Sequence, residues 1–101
     1  MLTIVWEFRV RPGAASEFES HYGPAGTWVS LFRRARGYRG TTLLRDDEDP
    51  TRYLTLDVWD DEASYLQFQK AYAAEYAALD TACTSLTTEE RPLGHFTASE
   101  R

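Results

Sequence analysis

The sequence has a single cysteine and no long apolar run. Cys83 stands alone, so an internal disulfide is excluded and a reducing, cytoplasmic compartment is predicted. No apolar run approaches the ~18 residues that a membrane-spanning helix needs. Residues 1–13 carry charges and alternate like a β-strand, which is not the pattern of a signal peptide. The protein is therefore expected to have no association with membranes.

Basic charge and catalytic signature motifs are also scarce. Lys and Arg total 11 against 16 Asp and Glu, a formal charge of −5, which argues against nucleic acid as a partner. The glycine-rich motifs of acyl-transfer elbows and phosphate-binding loops are absent. The two histidines, His21 and His95, lie on different predicted elements without a second ligand at metal-binding spacing. We therefore expect neither a metal site nor a cofactor.

Aromatic residues are abundant instead. They make up 14% of the 101 residues, with three Trp, six Tyr and five Phe. Buried Tyr and Trp bring polar groups that need partners, so such residues typically line a ligand cavity or a subunit interface. The composition leaves both interpretations open. The length predicts one domain, residues 1–101.

Hydrophobic periodicity predicts four strands and two helical regions. The first strand is predicted at 2–11, followed by a helix from 14 that breaks at 23–24 and resumes as far as 37. Two strands follow at 38–45 and 51–59. The second helix comes after an acidic cap at 60–62 and carries one aromatic stripe to 83, and the last strand is predicted at 93–98. The order β-α-β-β-α-β is the split βαβ, or ferredoxin-like, arrangement of an α+β protein with an antiparallel sheet.

Both helical regions of such a fold cover the same face of the sheet. The opposite face is predicted to carry pairs such as Thr42 and Leu44, together with Leu54, Leu56 and Val58. This set is too apolar to face open water, and a second copy of the chain is the simplest cover. The sequence therefore predicts a homodimer.

The strand-to-helix passage DVWDDEASYLQF, residues 57–68, resembles the antibiotic biosynthesis monooxygenase superfamily of dimeric α/β barrels. The resemblance extends through the segments VWEFRVRPG and RGYRGTTLLRD to nearly the whole chain. It implies that two sheets pack into a barrel across a dimer. It also implies a pocket in each protomer, between the sheet and the helices.

Haem-degrading members of that superfamily use an Asn, a Trp and an iron-binding His. The resemblance places these at Phe8, Phe68 and about Ala78, so none of the three residue types is present. Haem degradation is therefore not expected.

Polyketide-oxidising members use no metal or flavin and surround an anthrone-type substrate with an Asn, a Trp, a Tyr and an Arg. The Trp and the Tyr match Trp59 and Tyr65. The Asn position is Thr55, and the Arg position falls near Leu79. The resemblance therefore implies an oxygenase-like pocket with two of the four residues kept.

Asp57 and Trp59 share one strand face with Thr55. If that face meets the helices, as the resemblance implies, these residues border an aromatic cavity suited to a small aromatic or hydrophobic molecule. Asp57 would be desolvated there, which raises a carboxyl pKa and suits a general base; His21 is the second candidate base. The predicted substrate-contacting residues are Thr55, Trp59, Tyr65, Phe68, Tyr72, Tyr76, Tyr22 and Trp28.

The sequence thus favours a cofactor-independent monooxygenase that oxidises an aromatic or quinol-like molecule with dioxygen. One alternative is a non-catalytic dimer, such as a stress-response protein, that binds a small hydrophobic ligand. Another is a purely structural dimer whose aromatic side chains fill the cavity. Asp57 could equally pair with Arg9, Arg45 or Arg52 on a neighbouring strand.

Overall fold

A computed structural model of the chain describes residues 1–99, so residues 100 and 101 of the predicted domain lie outside it. Strands β1 (Leu2–Val10), β2 (Tyr38–Arg45), β3 (Arg52–Trp59) and β4 (Thr87–Thr97) form one sheet in the order β2-β3-β1-β4. Every neighbouring pair is antiparallel. The predicted ferredoxin-like α+β fold is confirmed.

Each predicted helical region consists of two helices. The first contains α1 (Ala15–Tyr22) and α2 (Thr27–Phe32), separated at Gly23 and Pro24 as predicted, although α2 ends five residues before Gly37. The second contains α3 (Glu62–Ala71) and α4 (Ala73–Cys83), followed by a short 3₁₀ helix at Thr84–Leu86. No helix formed by residues 1–99 combines the length and the apolar character needed to cross a bilayer.

The break between α3 and α4 corrects the single helix predicted here. Tyr72 has left the helical region, with φ −117° and ψ 27°, although alanines on both sides favour a continuous helix. Its hydroxyl donates to the Arg34 carbonyl at 3.1 Å, and the Arg34 guanidinium lies 4.8 Å from its ring centroid. These contacts with the α2 end hold Tyr72 and outweigh the local helix propensity.

Strand β4 begins at Thr87, six residues before the predicted start at Leu93. The segment Thr87–Arg91 has no apolar alternation to mark it, because it forms the edge of the sheet and is largely exposed. Pro92 lies within this edge strand beside a register shift opposite Val5 and Trp6. The proline and the register shift are both compatible with an edge strand. Proline has no backbone N–H to donate, and on an edge strand this need not remove a hydrogen bond between strands.

The core lies between the helices and one face of the sheet. It combines buried strand residues with buried helix residues. The largest fully buried side chains are Trp59, Tyr53, Phe18 and Phe68. Alternation along β1 and β3 places Ile4, Phe8, Tyr53 and Trp59 on this face. Asp57 and Thr55 follow the same alternation, so both point to the helical side.

The opposite face of the sheet has an apolar surface beside an ionic band. Leu44 and Phe96 are 44% and 51% exposed. In the ionic band, Glu7 accepts a hydrogen bond from Arg52 at 2.6 Å and forms an ion pair with Arg91 at 2.8 Å. The Arg52 hydrogen bond is the main cause that lowers the pKa of Glu7. The Glu7 side chain is only 4% exposed, and the two arginines compensate its negative charge.

Candidate functional site

A cavity of about 60 Å³ lies between the helices and the inner face of the sheet. This space holds several water-sized groups. All four strands and three helices line it: Trp6 and Phe8 of β1, Thr41 of β2, Thr55 and Asp57 of β3, Glu90 of β4, Tyr22 of α1, Trp28 and Phe32 of α2, and Tyr76 and Asp80 of α4.

Asp57 is a titratable group in the central part of the sheet wall of this cavity, on β3. Burial raises its pKa from 3.8 to about 6, and a hydrogen bond from Thr41 opposes that rise in part. The Thr41 hydroxyl donates to Asp57 Oδ1 at 2.7 Å. A carboxylate with a pKa near 6 is ionised at neutral pH and is basic enough to accept a proton from a phenol-like group.

Asp57 does not pair with any of the three arginines considered from sequence. Arg9 binds Asp49, Arg52 binds Glu7 and Asp46, and Arg45 donates to the Pro50 carbonyl. Its carboxylate therefore lacks an ion-pair partner within residues 1–99. This is why burial dominates its pKa.

Aromatic rings form most of the remaining wall. Trp28 contacts Tyr76 edge-on, with ring centroids 5.0 Å apart, and Trp6 lies 6.3 Å from Phe8 in a stacked arrangement. Burial raises the pKa of Tyr76, so its hydroxyl stays protonated. That hydroxyl makes no hydrogen bond to residues 1–99 and is free to donate to a ligand.

Two further carboxylates, Asp80 and Glu90, lie on the exposed side of the cavity. Partial burial raises the pKa of Glu90, and the charge of Asp80 adds to the rise. Among residues 1–99, no Lys, Arg or His lines this cavity. Its polar groups therefore favour neutral or positively charged ligands over anions.

Five of the residues predicted for the site lie together at the cavity. They are Asp57, Thr55, Tyr22, Trp28 and Tyr76. They come from β3, α1, α2 and α4, so the fold joins the two helical regions around one space.

Another four predicted residues are not part of the cavity lining and take packed or hydrogen-bonded positions instead. Trp59 is fully buried, and Phe68 lies against it with ring centroids 5.2 Å apart. Tyr65 accepts a hydrogen bond from Gln69 at 2.6 Å, and the charge of Asp57 contributes to its raised pKa, after burial. Tyr72 is tied to Arg34, as described above.

His21 lies outside the cavity wall, on α1. Its Nδ1 is 2.9 Å from the Thr27 hydroxyl, at the start of α2. This contact links the two helices across the Gly23–Pro24 break. The structure therefore leaves Asp57, of the two candidate bases, facing the cavity.

Sequence reasoning missed Thr41 and Tyr38. The Tyr38 hydroxyl is 2.6 Å from the Thr41 hydroxyl, which in turn contacts Asp57. The signal for these residues is strand register: Thr41 is the direct cross-strand partner of Asp57. The missed wall residues Trp6 and Phe8 carried a second signal, because their alternation on β1 matches the inner face.

A protein-bound metal has no evident site in the described part of the chain. No three His, Cys, Asp or Glu side chains among residues 1–99 are grouped closely enough to hold an ion.

Comparison with known proteins matches residues 1–78 to the family model described as antibiotic biosynthesis monooxygenase. The structure resembles SnoaB, a cofactor-independent oxygenase from Streptomyces nogalater, with 30% identity over 99% of this chain and 94% of that chain and a TM-score of 0.77. A Pseudomonas aeruginosa protein shares the fold at 17% identity, over 97% and 93% of the two chains, with a TM-score of 0.73.

A search of curated proteins finds no match. The family model nevertheless spans most of the chain, and the resemblance to SnoaB spans almost all of it. The chain belongs to the antibiotic biosynthesis monooxygenase family.

Proposed function

We propose that this protein is a cofactor-independent monooxygenase that oxidises an aromatic or quinol-like molecule with dioxygen. The observation that carries the proposal is Asp57, an unpaired carboxylate with a pKa of about 6 in the wall of an aromatic cavity. The SnoaB resemblance supports the same reaction class, since that protein is described as a cofactor-independent oxygenase.

The proposed reaction begins with proton transfer from the substrate to Asp57. Loss of this proton leaves an electron-rich carbanion or phenolate, which reduces dioxygen and forms a hydroperoxide on the substrate carbon. For an anthrone-type substrate, loss of water then converts a methylene into a carbonyl. One oxygen atom enters the product, the other leaves in water with the two methylene hydrogens, and the substrate supplies all four electrons.

The wall residues have defined parts in this reaction. The Tyr76 hydroxyl donates a hydrogen bond to the substrate oxygen, where negative charge develops. Trp28 and Phe32 hold the ring and exclude water from the reactive intermediate. Asp57 is the catalytic residue in this proposal because it takes the proton.

The acidic cavity defines the charge of the substrate. Asp80 and Glu90 lie on the exposed side of the cavity, and the residues within 1–99 that line it include no Lys, Arg or His to balance their charge. A substrate with a carboxylate would meet like charge there, whereas a neutral phenol or an amine would not. We therefore expect the substrate to be uncharged or cationic.

The test is oxygen uptake by metal-free protein with a charge-matched series: a dihydroxynaphthalene, its carboxylate and its aminomethyl analogue. Uptake above the spontaneous rate is expected for the neutral and cationic members, with the carboxylate roughly ten-fold poorer. The Asp80→Asn, Glu90→Gln double variant should narrow that gap. A carboxylate that reacts best, or a gap unchanged in the double variant, would refute the charge selectivity.

A non-catalytic ligand-binding role is the second candidate. It is favoured by Thr55 and Leu79, which stand where the resemblance to polyketide oxidases places an Asn and an Arg. Tryptophan fluorescence separates the two roles, because Trp6 and Trp28 line the cavity. Quenching by the neutral ligand without oxygen uptake would support binding alone.

We also propose that the protein is a homodimer in the cytoplasm, joined through the open face of the sheet. Leu44, Leu56 and Phe96 supply apolar area on that face. The reducing compartment fits a single, buried Cys83.

The dimer is tested by placing a charge at the centre of this face. Leu56→Glu is expected to convert a dimer into a monomer in light scattering after size-exclusion chromatography, because an unpaired carboxylate would be buried in the interface. Leu66→Glu is the matched control, since Leu66 is 54% exposed on α3. A wild-type protein that is already monomeric, or a dimer that persists in Leu56→Glu, would contradict the proposed interface.

A further inference from the structure

Tyr38, Thr41 and Asp57 form a continuous hydrogen-bond chain that ends at the cavity. The Tyr38 and Thr41 hydroxyl oxygens are 2.6 Å apart, and the Thr41 hydroxyl lies 2.7 Å from Asp57 Oδ1. Both distances are those of strong O–H···O hydrogen bonds. Thr41 and Asp57 line the cavity, whereas Tyr38 is not part of its lining.

We infer that Tyr38 and Thr41 are positioning residues that fix the carboxylate of Asp57 and determine which of its oxygens takes the substrate proton. The inference rests on the proposed function for the identity of the proton donor. The hydrogen-bond chain itself does not depend on it.

The direction of the chain follows from the number of protons available. An ionised carboxylate only accepts, so Thr41 must give its single hydroxyl proton to Oδ1. The Thr41 oxygen can then only accept from Tyr38, which makes Tyr38 the donor. Oδ2 of Asp57 receives no hydrogen bond from residues 1–99 and is the oxygen left for the substrate.

The fold holds both hydroxyls in place. Thr41 faces Asp57 as its direct partner in the β2–β3 ladder, so the backbone sets this contact. The Tyr38 ring is packed edge-on against Trp59 at 5.3 Å and lies 5.4 Å from Phe32. A register shift between Tyr38 and Gly40 brings the Tyr38 hydroxyl back over Thr41.

Other polar groups around Asp57 do not replace this chain. From α3 and α4, the Tyr65 and Tyr76 phenols interact with its charge, and burial raises the pKa of both. Asp80 and Glu90 line the same cavity but make no hydrogen bond to Asp57. On β1 its cross-strand partner is the apolar Ile4. Within residues 1–99, Thr41 is therefore the one group that hydrogen-bonds the Asp57 carboxylate.

The experiment titrates Asp57 directly, by carboxyl carbon NMR of protein without substrate, with the resonance assigned from its loss in Asp57→Asn. Thr41→Val keeps the shape but removes the donor, and is expected to raise the Asp57 titration midpoint by about one pH unit. Tyr38→Phe should raise it less, because Thr41 still donates. Thr41→Ser keeps a hydroxyl at this position, so its Asp57 titration midpoint should equal the wild-type value.

The same variants are then assayed for oxygen uptake against pH. The acidic limb of kcat/KM should move with the NMR midpoint in Thr41→Val and return in Thr41→Ser. An Asp57 midpoint unchanged in both Thr41→Val and Tyr38→Phe would overturn the positioning role. If the Asp57 midpoint shifts in these variants but the wild type shows no oxygen uptake, the hydrogen-bond chain is supported and the proposed oxygenase activity is refuted.

Discussion

Asp57→Asn is expected to increase the free energy of unfolding at pH 8 by up to about 3 kcal/mol, although it removes the proposed catalytic base. This is the free energy that corresponds to raising a carboxyl pKa from 3.8 to about 6 in the folded protein. Asparagine has a similar shape and can still accept the Thr41 hydrogen bond, but it has no charge to desolvate.

The sign of the pH dependence follows from this raised pKa. Well below pH 3.8, Asp57 is protonated in both the folded and the unfolded chain, and wild type and variant should be about equally stable. Between about pH 4 and pH 6 the unfolded chain has lost this proton while the folded wild type still holds it, so only the wild type loses stability in this range, and above pH 6 the difference between the two proteins should stay constant. Urea unfolding at pH 4 to pH 8 measures the difference.

Asp47→Asn provides the matched control, because Asp47 is an exposed carboxylate in the β2–β3 loop. It should change the free energy of unfolding by less than about 0.5 kcal/mol across the same pH range. A constant difference between wild type and Asp57→Asn from pH 4 to pH 8 would mean that Asp57 is not desolvated.

Trp59→Ala is expected to lower the free energy of unfolding by about 3–5 kcal/mol, a large part of the stability of a domain of this size. Trp59 is fully buried and contacts four aromatic rings: Phe32, Tyr38, Tyr65 and Phe68. The alanine would leave a void that these rings cannot fill without breaking their edge-on contacts. Urea unfolding at a single pH measures the loss.

Trp59→Phe should cost less, no more than about 2 kcal/mol. The indole N–H of Trp59 is buried without a hydrogen bond to residues 1–99, so phenylalanine removes volume but no polar contact. Leu66→Ala, at an exposed position on α3, is the control for alanine substitution. If Trp59→Phe were as costly as Trp59→Ala, the indole nitrogen would have a role that the packing does not account for.

The fold was predictable because successive residues of each central strand alternate between its two faces, and the residue types alternate with them. On β1, Ile4 and Phe8 alternate with Thr3, Val5, Glu7 and Arg9. On β3, Tyr53, Thr55, Asp57 and Trp59 alternate with Leu54, Leu56 and Val58, so both faces of the central strands can be assigned before any pairing is known. The break at Gly23–Pro24 was predictable from local sequence as well, since a proline in the interior of a helix removes a backbone hydrogen bond and interrupts it.

The break at Tyr72 and the early start of β4 were not predictable from local pattern. Tyr72 is held by a contact with Arg34, which is distant in the sequence. Thr87–Arg91 pairs with β1 through its backbone, and an exposed edge strand needs no apolar alternation. In both cases a tertiary interaction decided the outcome.

The candidate site was likewise predictable where it depends on strand alternation, and not where it depends on tertiary packing. Asp57 and Trp59 share one strand face, and the sequence correctly places them there. Two residues of spacing nevertheless put Asp57 at the cavity and Trp59 among packed rings, because α2 supplies Phe32 to cover the indole. The Thr41 hydrogen bond depends on the β2–β3 register, which the sequence of either strand alone does not specify.

Oxygen uptake against pH tests the proposal that ionised Asp57 removes the substrate proton. Metal-free wild type and Asp57→Asn would be compared on the best substrate among a small panel of anthrones and hydroquinones, with the spontaneous rate subtracted at each pH. We predict that wild-type kcat/KM rises with pH through about 6 and that Asp57→Asn is slower by about 100-fold or more. Uptake that never exceeds the spontaneous rate, or that is equal in the two proteins, would contradict this proposal.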